Sequence, residues 1–287
     1  MQKYTFRDFE KDFPTDDACL DWLREYLYPE GIFCKNCQAV TKHHRVKSRP
    51  SYSCDRCGHH EHPMAGTIFQ DSRTPLRVWF HAIFIMASTR CGVSAKQLER
   101  ETGVTYKTAW RMFKQIRSLL QEDDTFSGPV EADETYMGGR RKGTPRGRPG
   151  AGSHKVPVFG VVERGGRVMA VTVPNVKKAT LMPHLTKKVL PHETVYTDEL
   201  ASYNDLTKVG YQHHRVNHSE GIYVAGTAHT NTIEGFWSLL KRGIGGVYHS
   251  VGSKHLQSYL DEYSFRYNHR KDAQPMFETM LRQVEKT

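Results

Sequence analysis

The chain has 287 residues, 41 of them Lys or Arg and 31 Asp or Glu, with 11% aromatic residues and a formal net charge of +10. That length holds about two domains with a sizeable core, and the charged and aromatic balance excludes a disordered or low-complexity chain. The positive charge points to an anionic partner, nucleic acid first. With no run of about 18 apolar residues there is no expected membrane span. Residues Met1 to Asp8 lack the apolar core of a signal peptide. The expectation is therefore a cytoplasmic protein, nucleoid-associated when bound to DNA, whose thiols stay reduced.

Residues 4 to 28 read as helix, with Phe13, Cys19, Leu20, Trp22, Leu23 and Tyr26 on one apolar face and Thr15 as a capping residue. Cys34-Lys35-Asn36-Cys37 and Cys54-Asp55-Arg56-Cys57 follow, separated by sixteen residues. Two such knuckles are the pattern of a four-thiolate Zn²⁺ site, and four protein ligands leave no open position for a substrate, so the expected role is structural. A short hairpin of Lys42 to Val46 with Ser51 to Ser53 would complete a zinc ribbon. His59, His60 and His62 lie close enough in sequence to exchange with a cysteine ligand. Cys19 and Cys91 fall outside the knuckles and are expected to be packed.

Residues 74 to 121 read as helices. Ser94 to Arg111 resembles a helix-turn-helix, with a first helix ending at Gly103 and a second capped by Thr105. The second helix would offer Tyr106, Lys107, Arg111, Lys114 and Arg117 to a phosphate backbone or groove. From Gly128 the texture changes to strand and loop. Pro129 to Met137 alternates, with Val130, Ala132, Glu134 and Tyr136 on one side and Glu131, Asp133 and Thr135 on the other. The glycine-rich loop after it carries Arg140, Arg141 and Lys142, a basic arm for a nucleic-acid backbone. Strands at Val156–Glu163 and Arg167–Val173, a helix from Thr180 to Leu190, a strand from Thr194 to Asp198, a helix from Ser202 to Val209 and a strand from Tyr211 to Val216 come next. Two helices close the pattern, one opening near Asn231 and one over Ser253–Asn268.

The order is that of an α/β fold, a mixed sheet with helices on its faces. On the helix opening near Asn231, Ile233, Phe236, Trp237, Leu240 and Ile244 form one stripe, and Glu234 and Lys241 share its flank. Asp133 sits within a strand, Asp198 at a strand end and Glu234 at a helix start. Half-buried acids that converge without cationic partners repel each other. Mg²⁺ or Mn²⁺ is the natural counter-charge, and two such ions suit phosphoryl transfer.

Together the double C-x-x-C, Val130 to Gly139, Tyr196-Thr197-Asp198 and Asn231 to Arg242 resemble the DDE-type transposases of bacterial insertion sequences, in the group with an N-terminal zinc ribbon. The resemblance spans nearly the whole chain. It implies a ribonuclease-H-like catalytic domain, two-metal cleavage of double-stranded DNA at element ends, and joining of the freed 3′-hydroxyl to target DNA. It also implies recognition of terminal repeats by the N-terminal part and a homo-oligomer on DNA. Asp133, Asp198 and Glu234 match the family's acids and Lys241 its following basic residue. In this group the third metal position can be Asn, so Asn231 stands beside Glu234 as an alternative, although it projects about 160° from the apolar stripe. The expected organisation is a helical segment over 1–30, a zinc ribbon over 31–66, a helix-turn-helix-like segment over 74–121 and the catalytic domain over 126–275. A DNA-binding regulator with an inert α/β domain would explain the first 120 residues but leaves the three placed acids without a purpose.

Overall fold

A computed structural model describes residues 3–138, 155–216 and 229–286. The chain divides into two compact units, Met1–Leu119 with Lys271–Thr287, and Leu120–Arg270.

The first unit is helical around a small β element. Helices α1 (Phe6–Asp12) and α2 (Asp16–Leu27) replace the single helix expected over 4–28. The break falls at Phe13-Pro14, because a proline ring disfavours helical backbone in the residue before it. Thr15 restarts the helix, its side chain accepting from the Ala18 amide at 3.2 Å. Strands β1 (Phe33–Cys34), β2 (Ala39–Val40), β3 (His43–Val46), β4 (Ser51–Cys54) and β5 (His60–Glu61) make the ribbon. Strands β3 and β4 pair antiparallel with His43 opposite Cys54, the expected hairpin. Helices α3 (Leu76–Ser88), α4 (Ala95–Thr102) and α5 (Tyr106–Ser118) follow, and the late helix α9 (Met276–Leu281) packs in this unit. Phe9, Phe80 and Phe277 lie in its core, with ring centroids 5.9 Å apart between Phe9 and Phe277.

The second unit is a three-layer sandwich. Its strands are β6 (Val130–Met137), β7 (Val156–Glu163), β8 (Val168–Thr172), β9 (Thr194–Thr197) and β10 (Gln212–Arg215), in the order β10-β9-β6-β7-β8. Three successive strands pair antiparallel, and β9 and β10 add in parallel on the far side of β6. This is the ribonuclease-H-like arrangement. Helix α6 (Lys178–Lys188) covers one face, where Val130, Ala132, Phe159, Val161, Leu181 and Leu185 pack together. Helices α7 (Asn231–Gly243) and α8 (Ser253–Asn268) cover the other, with Val158, Val162, Ile233, Phe236 and Trp237 between them. The period-two alternation of β6 and β7 therefore decides which layer each side chain enters. The segment expected as helix over 202–209 is instead two short 3₁₀ turns, Ala201–Tyr203 and Thr207–Val209. No helix among the described residues is long and apolar enough to cross a membrane.

Candidate functional site

Strand order reverses at β6, whose neighbours β9 and β7 are reached by opposite routes, so the carboxyl ends of β6 and β9 face an open crevice. In open α/β sheets this is where ligands bind. The pairing of β6 with β9 covers only Val130 with Val195 and Glu131 with Tyr196, after which β9 ends at Thr197. Past that point β6 has no strand partner on this side among the described residues. Asp133, Glu134 and Asp198 consequently reach round one free edge, each with a carboxylate oxygen within 4.8 Å of the others. Asp133 and Glu134 alternate to opposite faces of β6, and the missing neighbour is what lets them meet.

The electrostatics follow from that crowding. Burial first, and then the Asp198 charge, raise the Asp133 carboxyl to about 6 and that of Glu134 to about 7. Tyr203 donates to Glu134 at 2.9 Å, and the Trp237 indole donates to Asp133 at 2.9 Å. Asp198 accepts from the Leu200 amide at 3.0 Å. Oxygen ligands around one Mg²⁺ at about 2.1 Å stand about 3.0–4.2 Å apart. A hard divalent cation therefore fits this set of carboxylate donors.

The position of Trp237 depends on Gly160. That residue pairs with Asp133 across β6 and β7, and a Cβ there would lie 2.5 Å from the Trp237 ring and 3.2 Å from Ile233. Only glycine lets α7 approach closely enough to bring its indole to the acid. The other end of the helix seat is Glu131, which is fully buried. It accepts from the Thr232 and Ile233 amides at 2.8 and 3.0 Å, from the Thr232 hydroxyl at 2.9 Å, and from Arg164 Nε at 2.9 Å. Thr230, the residue before the helix, makes no capping bond with its side chain. Glu131 thus acts as the cap of α7 from another strand, holding the positive end of the helix dipole. The sequence placed Glu131 on the Asp133 face but gave no sign of this task. Arg164, which reads as a turn residue, also lies 3.7 Å over the Tyr196 ring and donates to the His229 carbonyl at 2.7 Å.

Glu234 is exposed on α7 and accepts from the Thr230 hydroxyl at 3.0 Å. It stands outside the tight acid cluster but shares a cavity of about 450 Å³ with Asp133, Glu134, Trp237 and Lys241. Asn231 is exposed and does not line that cavity. Glu134, which alternation puts on the other face of β6 from Asp133, is the acid that joins Asp133 and Asp198 in the cluster.

In the ribbon, Cys34, Cys37, Cys54 and Cys57 converge, with Sγ atoms 3.5 Å apart for Cys34 and Cys57 and 3.9 Å for Cys37 and Cys54. Four thiolates at about 2.3 Å from a tetrahedral Zn²⁺ stand about 3.8 Å apart, so these cysteines fit the ion. The Thr41 hydroxyl, 3.2 Å from Cys54 Sγ, holds that thiol down at about 5. Among the described residues the cluster contains none of His59, His60 and His62; His60 Nδ1 is instead 3.1 Å from the Ser51 hydroxyl.

On α5, Lys107, Arg111 and Lys114 are exposed at spacings of four and three, a single helical stripe. Gly103 ends α4 with φ at 71°, and the Thr105 hydroxyl accepts from the Thr108 amide at 3.3 Å. Arg117 is a correction: it is only 3% exposed and lies over the Phe113 ring, because that turn of α5 faces the core. Cys91 is a second: α3 ends at Ser88, which leaves this thiol exposed in the following loop. Arg140, Arg141 and Lys142 lie outside the described residues.

Comparison with known proteins agrees with these features. Residues 125–268 match the ISXO2-like transposase domain, and residues 14–60 match a transposase zinc-ribbon domain. A Halobacterium salinarum protein described as an uncharacterized protein in transposable element ISH50 is 28% identical over 289 residues, covering 94% of this chain and 97% of its own. An uncharacterized transposase-like protein of Haemophilus influenzae is 36% identical over 102 residues, 36% of this chain and 81% of its own. The Mos1 strand transfer complex overlaps at 12% identity over 71% of this chain and 74% of that chain, with a TM-score of 0.29. An overlap that partial carries no weight beside the chain's own strand order. From the domain match, which spans half the chain, this protein belongs to the ISXO2-like transposase family and bears that family's type of N-terminal zinc ribbon.

Proposed function

We propose that this transposase binds the terminal repeats of an insertion sequence, cleaves at the element ends and joins the freed 3′-hydroxyl to target DNA. The observation that carries this reading is the convergence of Asp133 and Asp198, with Glu134, at the free edge between β6 and β9. Magnesium or manganese ions held there would activate the attacking oxygen and stabilise the leaving one. Asp133 and Asp198 would hold the ions, and Glu234 would close the site from α7, on the cavity it shares with Asp133. The indole of Trp237 orients the Asp133 carboxylate. Lys241, on the same cavity, neutralises a phosphate next to the reacting one.

Zinc on Cys34, Cys37, Cys54 and Cys57 holds the ribbon in shape. Lys107, Arg111 and Lys114 contact the DNA backbone, joined by Arg140, Arg141 and Lys142 from the basic loop. Reaction at two element ends calls for a homo-oligomer on the DNA.

The test is Mg²⁺-dependent cleavage of a duplex carrying the element's own ends, followed by strand transfer from pre-cleaved ends. Asp198→Asn should lose cleavage while retaining DNA binding. Loss with Glu234→Ala but not with Asn231→Ala would support the helix-flank ligand, whereas the reverse pattern would move the third ligand to Asn231. A cleaving Asp198→Asn variant would overturn the assignment. Wild-type protein that binds ends but never cuts them would favour the regulator.

A further inference from the structure

Lys241 lines two cavities at once. One is the acid cavity described above, and the other, about 700 Å³, lies at the carboxyl end of β6, where Tyr136, Met137 and Gly138 line it. Its volume is in the range of ligand-binding pockets, about 300–1,000 Å³. The lining has two distinct characters. Met137, Val156, Ile244 and Leu256 give an apolar wall. Lys155, Lys241 and His249 supply cationic or donor side chains, with the Ser250 and Ser253 hydroxyls beside them.

The backbone round this cavity is unusual in three successive places. Helix α7 runs on into a π-helical turn at Ile244–Tyr248, a form that recurs at functional sites. His249 then adopts φ 60° and ψ −44°, and the Ser250 amide donates to the Tyr248 carbonyl at 2.7 Å. That is a γ-turn in its strained, positive-φ form, costly for a residue with a side chain. Helix α8 starts immediately afterwards, with no side-chain cap on its first turn. Its amides and dipole therefore add to the attraction for an anion.

An apolar wall, two lysines on the lining and one of those lysines shared with the acid cavity together match one kind of ligand. We infer that this cavity receives a single unpaired nucleotide of the DNA strand adjoining the reactive phosphate, its base against Val156 and Ile244 and its phosphate at Lys241 and the α8 amides. This rests on the transposase reading above and extends it to the path of the strand. Extruding one nucleotide costs unstacking and unpairing energy, which contact with a base-sized pocket offsets. A nucleotide held here would also fix the neighbouring phosphate against the acids, the positioning effect on which phosphoryl transfer depends.

The experiment uses full-length protein and duplexes of the element's own end, with 2-aminopurine placed singly at positions on either side of the element boundary. Binding is followed in Ca²⁺, cleavage in Mg²⁺. At one position the fluorescence should rise at least about threefold on binding, as expected for an unstacked base. Gly245 lines the cavity, and an added Cβ there meets nothing within 4 Å, so Gly245→Trp fills the space without a clash at its Cβ. That variant should lose the fluorescence rise and cleave intact ends at least about tenfold more slowly. An abasic nucleotide at the same position should restore its cleavage, since the indole then occupies the space of the missing base; restoration also establishes that the variant is folded. No brightening at any position, in protein that cleaves normally, overturns the inference and leaves the transposase reading standing. Brightening that survives Gly245→Trp overturns it too. Brightening without cleavage by the wild type would keep the nucleotide site and remove the catalytic assignment instead.

Discussion

Glu131 gives the sharpest test of how this fold sets up its site. Replacing it with Ala would remove four hydrogen bonds at once, from two backbone amides, one hydroxyl and Arg164. Two costs add. Breaking a buried ion pair by removing one partner costs about 3–5 kcal/mol, because the remaining charge stays buried. Losing a helix cap costs about 0.5–2 kcal/mol. The Arg164 side chain keeps 21% exposure, so water relieves part of its isolation and the low end of the first range applies. A loss of about 4 kcal/mol is then expected, a large share of the 5–15 kcal/mol that holds a typical domain together. For a unit of this size that corresponds to a fall of about 8–16 °C in melting temperature. Glu131→Gln keeps the shape and one acceptor, and should lose about half as much. Thermal melts followed by circular dichroism give the size of the effect, and amide hydrogen exchange gives its place. Protection should fall first at Thr232 and Ile233. The double variant Glu131→Leu with Arg164→Met should recover much of the stability, since an apolar pair leaves no orphaned charge. If Glu131→Gln melted within about 1 °C of the wild type, the idea that this carboxylate anchors α7 would be wrong.

Gly160→Ala should destabilise by about 1–3 kcal/mol through overpacking against Trp237, a fall visible in the same melts. It should also weaken Mn²⁺ binding, measured by electron paramagnetic resonance, because the indole can no longer hold Asp133. The acid cluster sets a pH dependence. With Asp133 raised to about 6 and Glu134 to about 7, these two carboxyls hold more protons in the folded protein than in the unfolded chain between about pH 4 and 7. Without divalent ions their contribution to stability should therefore decline as pH rises through that window, and the difference between urea melts of wild type and Asp133→Asn should change with pH accordingly. Lys107→Ala, Arg111→Ala and Lys114→Ala should each weaken DNA binding across sequences and reduce the slope of log affinity against log salt by about 1. Unchanged slopes in fluorescence-anisotropy titrations would take α5 out of the DNA interface.

Much of this protein is written in local patterns. The C-x-x-C pairs, the Thr15 and Thr105 caps and the left-handed Gly103 depend on residues a few positions apart, so the sequence alone determines them. The alternation in β6 and the stripe of α7 likewise assign every side chain to a face, since period 2 and period 3.6 are properties of one strand or helix. What those patterns leave open is which element stands opposite. Glu131 and Asp133 share a face, yet one is buried under a helix start about a hundred residues on and the other meets an indole from the same helix. Glu134 points to the opposite face and still joins the acids, because β9 ends at Thr197 and leaves an edge to reach round. Arg117 turned inward and Cys91 outward for similar reasons, the packing of one turn of α5 and the early end of α3. Sequence fixes the direction in which a side chain leaves its own backbone; only the tertiary structure decides what it meets, because that depends on strand order and strand length in distant parts of the chain.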